Sequence, residues 1–119
     1  MKTEIISKII CDFLGFIGFN QDDIKALSAP RSPKWRRLRN EHLKQHPECA
    51  VCGRTKNIVP HHIVPVHKDL TKELDPCNLI TLCEGETFNC HLFFGHLGNW
   101  TKNNPTVVED AIAWRNKLL

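Results

Sequence analysis

Cys49-Ala50-Val51-Cys52-Gly53, then Val59-Pro60-His61-His62-Ile63-Val64-Pro65, then Asn78-Leu79-Ile80-Thr81-Leu82-Cys83 and finally Cys90-His91 are the stretches that decide the fold. Four thiols in two clusters bracket a histidine pair, and another histidine follows the last thiol. Thiolates are soft ligands that select zinc, whereas imidazoles near a harder ion suit hydrolytic chemistry. A tetrahedral structural zinc takes four ligands from two separate segments, so that closing the site fixes both. Cys49 and Cys52 have the usual two-residue spacer, and Gly53 permits the tight turn around a metal. Cys83 and Cys90 are more widely spaced, so Glu84-Gly85-Glu86 has to loop out. The plainer reading of any one thiol is a small buried hydrophobe.

Working outward, Ile58 to Val66 is apolar and β-branched apart from Pro60 and the histidines, which predicts a short strand. A polar loop follows from His67 to Cys77. Residues 78–82 form a second strand that delivers Cys83. Thr87 or Asn89 caps a helix through Leu97. Upstream, Ser32-Pro33 reads as N-cap and first turn of a helix running to about His46, where Pro47 ends it. Downstream, Thr106 and Glu109 form a capping box for a helix ending near Leu118. The expectation is an α+β fold, a small zinc-stabilised core with flanking N- and C-terminal helices.

The chain has 119 residues, enough for one domain with a thin core, and metals commonly support such cores. Pro30 and Pro33 mark a join between an N-terminal helical extension, 1–29, and the domain proper, 30–119. In the extension, Ile5, Ile6, Ile9, Ile10, Phe13 and Ile17 recur at helical spacing, a stripe suited to packing on the domain or a sister subunit. Lys8 and Asp12 interrupt the stripe, which is too short and charged to span a bilayer and lacks a cleavage site for export. The six cysteines are therefore expected to be reduced, in a cytoplasm, and available to zinc. Cys11 is read as packing, and Cys77 as a thiol without a metal role.

Net charge is only +3, but it is uneven. Arg31, Lys34, Arg36, Arg37, Arg39, Lys44 and Arg54 are opposed only by Glu41 and Glu48, with Trp35 among them. Such a segment suits a phosphate backbone, and equally a solvated helix face.

His61 and His62, adjacent on a strand, point to opposite faces and can take different jobs. Zinc closure brings His91 back beside them, and Asn78 opens the returning strand. His42, His46 and His67 read as surface residues. Singly, each has an ordinary explanation. His61 and His62 could bind the zinc or bond to backbone carbonyls, Asn78 could be a turn residue, and His91 could replace Cys90 on the metal.

As an ordered set over residues 31 to 104, these motifs resemble the HNH endonuclease family. The Phe94-Gly95-His96-Leu97 run is similar to the small phage-type and nicking members. The resemblance implies a ββα-metal core with a four-cysteine zinc site on Cys49, Cys52, Cys83 and Cys90. It implies His62 as general base, Asn78 as the residue that orients His62 and stiffens the loop, and His91 and His61 as ligands of a catalytic cation. His96 would join them only if a bulge near Gly95 corrected its five-residue step, which on a regular helix turns it away from His91. The chain departs from the family in the stretched second cysteine pair and in Cys77, where relatives commonly have an acidic residue.

The implied activity is metal-dependent hydrolysis of DNA phosphodiesters to 5′-phosphate and 3′-hydroxyl ends, nicking one strand at a time. Mn²⁺, Mg²⁺, Ni²⁺ and Zn²⁺ all suit the cation site. The implied partner is duplex DNA with weak sequence preference, held by Arg31, Lys34, Arg36, Arg37 and Arg39. A homodimer is a further expected partner, as is a phage packaging machine, in a bacterial or phage-infected cell. The competing readings are a non-catalytic zinc DNA-binding module and a packaging or assembly accessory protein.

Overall fold

A computed structural model describes residues 33–119 of the chain. The expected extension over 1–29 and the proposed contact Arg31 lie outside the described residues. Helix α1 is Trp35–Gln45, strand β1 Ile58–His62, strand β2 Leu79–Cys83, and helix α2 Val107–Leu118. A single π-helical turn, His91–Gly95, lies between β2 and α2, and two short 3₁₀ turns, Leu70–Lys72 and Pro76–Asn78, lie in the loop joining the strands. The α+β class is observed as expected.

In α1 the three- and four-residue steps from Trp35 to Leu38 to His42 put all three on one face, with Leu38 and His42 buried. His42 therefore corrects the expectation of a surface histidine. Its Nε2–H donates to Thr81 Oγ1 at 2.9 Å, and that hydroxyl in turn donates to the His46 carbonyl at 2.8 Å. The expected cap also differs. Lys34 stands at the N-cap and its side chain makes no capping hydrogen bond, and Ser32 is outside the described residues.

The strands pair antiparallel in a two-stranded ribbon, with Ile58 opposite Cys83, His61 opposite Ile80 and His62 opposite Leu79. Pro60 is tolerated because every strand of such a ribbon is an edge. Its cross-strand partner Thr81 has its carbonyl bonded by the Ala50 N–H at 2.9 Å, which ties the first cysteine turn to β2. β1 ends at His62, short of the expected Val66, because a side chain takes over the role of a strand partner. Asn78 Oδ1 accepts from the Val64 N–H at 2.7 Å, and Asn78 Nδ2 donates to the Val64 carbonyl at 2.9 Å.

Strand alternation sends the ribbon's two faces into two small cores. Leu79 packs with Leu38, Leu74 and Trp35 under α1. Ile80 and Leu82 pack with Val51, Val107, Ala111 and the cysteines. In α2, Val107 and Ala111 are the buried pair. The capping box with Glu109 does not form. The Thr106 N–H instead donates to Asn104 Oδ1 at 3.0 Å, and Thr106 Oγ1 lies 3.0 Å from that oxygen and 3.1 Å from Asp110 Oδ2. Among the described residues no helix is long and apolar enough to cross a membrane.

Candidate functional site

Two ligand clusters arise from this frame. In the first, the sulfurs of Cys49, Cys52, Cys83 and Cys90 lie within 4.8 Å of one another. Four sulfurs at about 2.3 Å from a tetrahedral zinc stand roughly 3.8 Å apart; Cys52 and Cys83 Sγ are 3.7 Å apart. All four cysteines are free. A hydrogen bond from Cys90 pulls the Cys49 thiol down to about 4, and the same contact raises Cys90. One sulfur of the set already favours the thiolate form that a metal requires.

The wide spacer between Cys83 and Cys90 loops out as expected, closed by the Gly85 N–H donating to the Phe88 carbonyl at 2.9 Å. Gly53 has φ +80°, and a side chain there would collide with the Arg115 guanidinium from α2. The four thiols can thus hold a zinc ion. Cys77 is outside the cluster and is disulfide-bonded, so the expectation of reduced thiols holds for the four clustered cysteines and not for Cys77.

The second cluster joins His61, His91 and His96, one ligand nitrogen from each lying within 4.8 Å of the others. His61 faces this cluster because it shares the ribbon face of Ile80, and it is only 4% exposed. The π turn settles the position of His96. Because a π-helix closes over five residues, His91 and His96 fall on one face, and their Nε2 atoms stand 3.2 Å apart. Two nitrogens held at about 2.1 Å from one ion, at angles between octahedral and tetrahedral, are roughly 3.0–3.4 Å apart. The π turn is the bulge that the expectation for His96 required.

The outer nitrogens of these rings are oriented too. His96 Nδ1–H donates to the Lys102 carbonyl at 2.7 Å, which leaves the lone pair on Nε2, toward the cluster. His91 Nδ1 lies 3.7 Å from a Glu84 carboxylate oxygen, and His61 Nε2 is buried without a hydrogen-bond partner. Burial, then the neighbouring imidazoles, lower His61 to about 3. Burial also lowers His91, against an upward pull from Glu84. Neutral imidazoles with an orphaned buried nitrogen are the state in which a metal is bound. Gly95 makes the approach possible, since a Cβ there would lie 3.1–3.3 Å from three atoms of the His61 ring.

His62 lies on the opposite ribbon face, stacked on Trp35 of α1 with ring centroids 4.7 Å apart. Its Nε2–H donates to the Glu73 carbonyl at 3.0 Å. Asn78 directs its amide to the 64–72 loop, and through that loop it bears on His62. Its Nδ2 donates to the Lys72 carbonyl at 3.2 Å, so it holds the loop whose next residue offers His62 its acceptor.

Both histidine faces open at one end of the ribbon into a cleft of about 450 Å³. Around the clustered His61, His91 and His96 and around His62 it is walled by His67, Lys68, Trp100 and Lys102, and among the described residues no carboxylate lines it. Sequence reasoning missed Trp100, Lys102 and Glu84 as parts of this environment. The available signal was their nearness to His91 and His96 in the chain. Lys34, Arg36 and Arg37 are exposed and Arg39 is half-buried on α1. Trp35, which stacks on His62, belongs to the same helix.

No protein-family model matches the chain, and neither a curated protein nor a solved structure matches it.

Proposed function

We propose that this chain is a metal-dependent DNA endonuclease of the HNH type, with a ββα-metal core in which the ribbon and the π turn form the metal-holding unit. The observation that carries the reading is the convergence of His61, His91 and His96 in a cleft lined by lysines and histidines and, among the described residues, by no carboxylate. A cation there adds positive charge to a lining that carries lysines, with the Glu84 carboxylate behind His91 as a partial offset, so the preferred ligand is an anion such as a phosphodiester. Three imidazoles favour Zn²⁺ or Ni²⁺ over Mg²⁺ and Mn²⁺, which prefer carboxylate and water oxygens.

When bound, the cation would supply Lewis-acid polarisation of a phosphoryl oxygen. The other steps belong to the chain. Lys68 and Lys102 draw the backbone phosphate into the cleft, and Lys34, Arg36, Arg37 and Arg39 hold the flanking phosphates. His62 is the general base. Its Nε2–H bond to Glu73 selects the tautomer with the lone pair on Nδ1, the nitrogen that takes a proton from the water as its oxygen bonds to phosphorus. The bond from phosphorus to the 3′-oxygen breaks, and that oxygen leaves and takes a proton from solvent. Trp35 keeps the ring from rotating away. Such a base accelerates hydrolysis by about 10²–10⁴-fold. A single site of this kind addresses one strand, so a monomer nicks.

The test is conversion of supercoiled plasmid to open circle across Mg²⁺, Mn²⁺, Ni²⁺ and Zn²⁺ with chelator controls. Nicking by the wild type and its loss in His62→Ala support the reading; intact plasmid with every cation refutes it. A non-catalytic zinc DNA-binding module is the second reading, favoured by the way Trp35 and the Glu73 carbonyl grip His62 as they would a structural ring. It requires salt-sensitive binding without cleavage.

A further inference from the structure

Trp100 is 51% exposed, although a residue of this size is usually well buried. It stands at the cleft wall, its ring centroid 5.1 Å from that of His91 and 5.0 Å from that of His96. The loop carrying it is held on both sides. Asn99 Oδ1 accepts from the Thr101 N–H at 3.0 Å and from its hydroxyl at 2.7 Å, and the Lys102 N–H donates to the Asn99 carbonyl at 2.8 Å. The Lys102 carbonyl then receives His96 Nδ1–H, so the loop that presents the indole also fixes a candidate ligand. Asn103 Nδ2 fastens the same loop to the Ile63 carbonyl at 3.2 Å.

An exposed aromatic on a stiff loop beside an anion-attracting cleft has the make-up of a stacking platform. Bases offer a π-face of any sequence to such a ring, but in an intact duplex that face is covered by neighbouring bases. We infer that Trp100 stacks the nucleobase beside the scissile phosphate, so that the site prefers single-stranded or locally melted DNA over closed duplex. The inference rests on the nuclease reading and adds the strandedness of its substrate. The indole supplies a surface for the base, and Lys68 and Lys102 flank the phosphate attached to it. Sequence preference stays weak, because stacking discriminates little among bases.

The experiment uses the full chain and a labelled single-stranded oligonucleotide whose cut bonds are mapped first. An abasic residue is then placed next to each cut bond in turn. Stacking on an aromatic side chain changes binding by about 5- to 150-fold, so the wild type should cut beside an abasic residue more slowly by a factor in that range. Trp100→Ala should cut intact and abasic strands at equal rates, and Trp100→Phe should keep part of the difference. Because the readout is a ratio on one variant, any general loosening of the histidine cluster cancels. Equal cutting by the wild type overturns the inference, as does a preference that survives in Trp100→Ala. Absence of cutting with every cation refutes the nuclease reading instead. The platform is then judged by anisotropy with oligothymidylate, where unchanged affinity in Trp100→Ala overturns it and a comparable loss supports it.

Discussion

His91 and His96 are five residues apart yet bring their Nε2 atoms within 3.2 Å, because the chain between them winds as a π turn instead of an α-helix. The i to i+5 closure superimposes the two rings where an α-helical step would separate them. Gly95 occupies the end of that turn against His61, and its missing side chain is what lets strand and turn come this close.

Gly95→Ala should therefore weaken the cation site selectively. The new methyl would press on three atoms of the His61 ring, which has to give by a few tenths of an ångström, and a shift of that size disturbs its aim toward His91 and His96. Loss of ligand orientation typically costs about 10–100-fold in metal affinity. Competition titration with a chelating dye should show a fall of at least about tenfold for Ni²⁺ or Zn²⁺ at this site, with one tightly held zinc per chain retained. Unchanged affinity would show that His61 is not a ligand.

Much of this arrangement is legible in the sequence, and the parts that are not have physical reasons. The CxxC turn and the strand bringing Cys83 follow from local spacing, and both occur. The histidine pair divides between two faces as strand alternation requires. The length of β1 is overestimated because apolar, β-branched composition does not reveal that the Asn78 amide, from across the loop, occupies Val64. His42 is misplaced by its residue type, although its spacing from Trp35 and Leu38 puts it on the buried face. The π turn enters the sequence reading only as a condition on His96, since nothing in His91-Leu92-Phe93-Phe94-Gly95 distinguishes it from one α-helical turn.

Removing the sulfur-bound metal should unfold the domain. Its buried clusters are small, and Cys49, Cys83 and Cys90 are members of the larger one. Zinc binding at such sites contributes about 10–16 kcal/mol in isolated zinc-finger peptides, comparable to the entire ~5–15 kcal/mol of a typical domain. Cys49→Ser, or excess strong chelator, should abolish the cooperative thermal transition followed by circular dichroism. Retention of a sharp transition in the metal-free protein would contradict a structural role.

Acid should destabilise the fold through His42, apart from any effect on the metals. Burial first, and the neighbouring His46 second, lower its pKa from 6.5 to about 3. The unfolded chain therefore binds a proton at His42 below about pH 6.5 that the folded chain refuses until about pH 3, and stability falls with pH across that window. At about 1.4 kcal/mol per pH unit, the loss between pH 6.5 and 5 is roughly 2 kcal/mol. His42→Gln cannot titrate and keeps an N–H for Thr81. Urea midpoints for wild type and variant should accordingly converge as the pH is lowered, and parallel curves would rule His42 out as the source.

Phosphate contacts on α1 should appear in the salt dependence of DNA binding. Arg36 is exposed on the helix that carries Trp35. If it neutralises one phosphate, Arg36→Ala reduces the slope of log K against log salt by about 0.9. The weakening should be similar for unrelated sequences, because backbone contacts position and do not specify. Anisotropy titrations at several salt concentrations measure both quantities. A slope equal to that of the wild type would leave Arg36 as a solvated surface residue.

Asn78 joins stability to the proposed chemistry. Its amide makes three bonds to the 64–72 loop, accepting from the Val64 N–H and donating to the Val64 and Lys72 carbonyls. The residue after Lys72 is Glu73, whose carbonyl receives His62 Nε2–H. Asn78 is itself buried, so Asn78→Ala removes all three bonds from the interior end of the loop. At about 1 kcal/mol per bond, urea unfolding should lose roughly 2–4 kcal/mol. Nicking should fall further than the unfolded fraction explains, because the freed loop no longer fixes the imidazole of His62. Asn78→Asp keeps the acceptor for the Val64 N–H and loses both donations. It should therefore recover part of the stability while leaving the loop end at Lys72 untied and His62 poorly aligned. If Asn78→Asp restores nicking as fully as it restores stability, the residue acts on the fold alone.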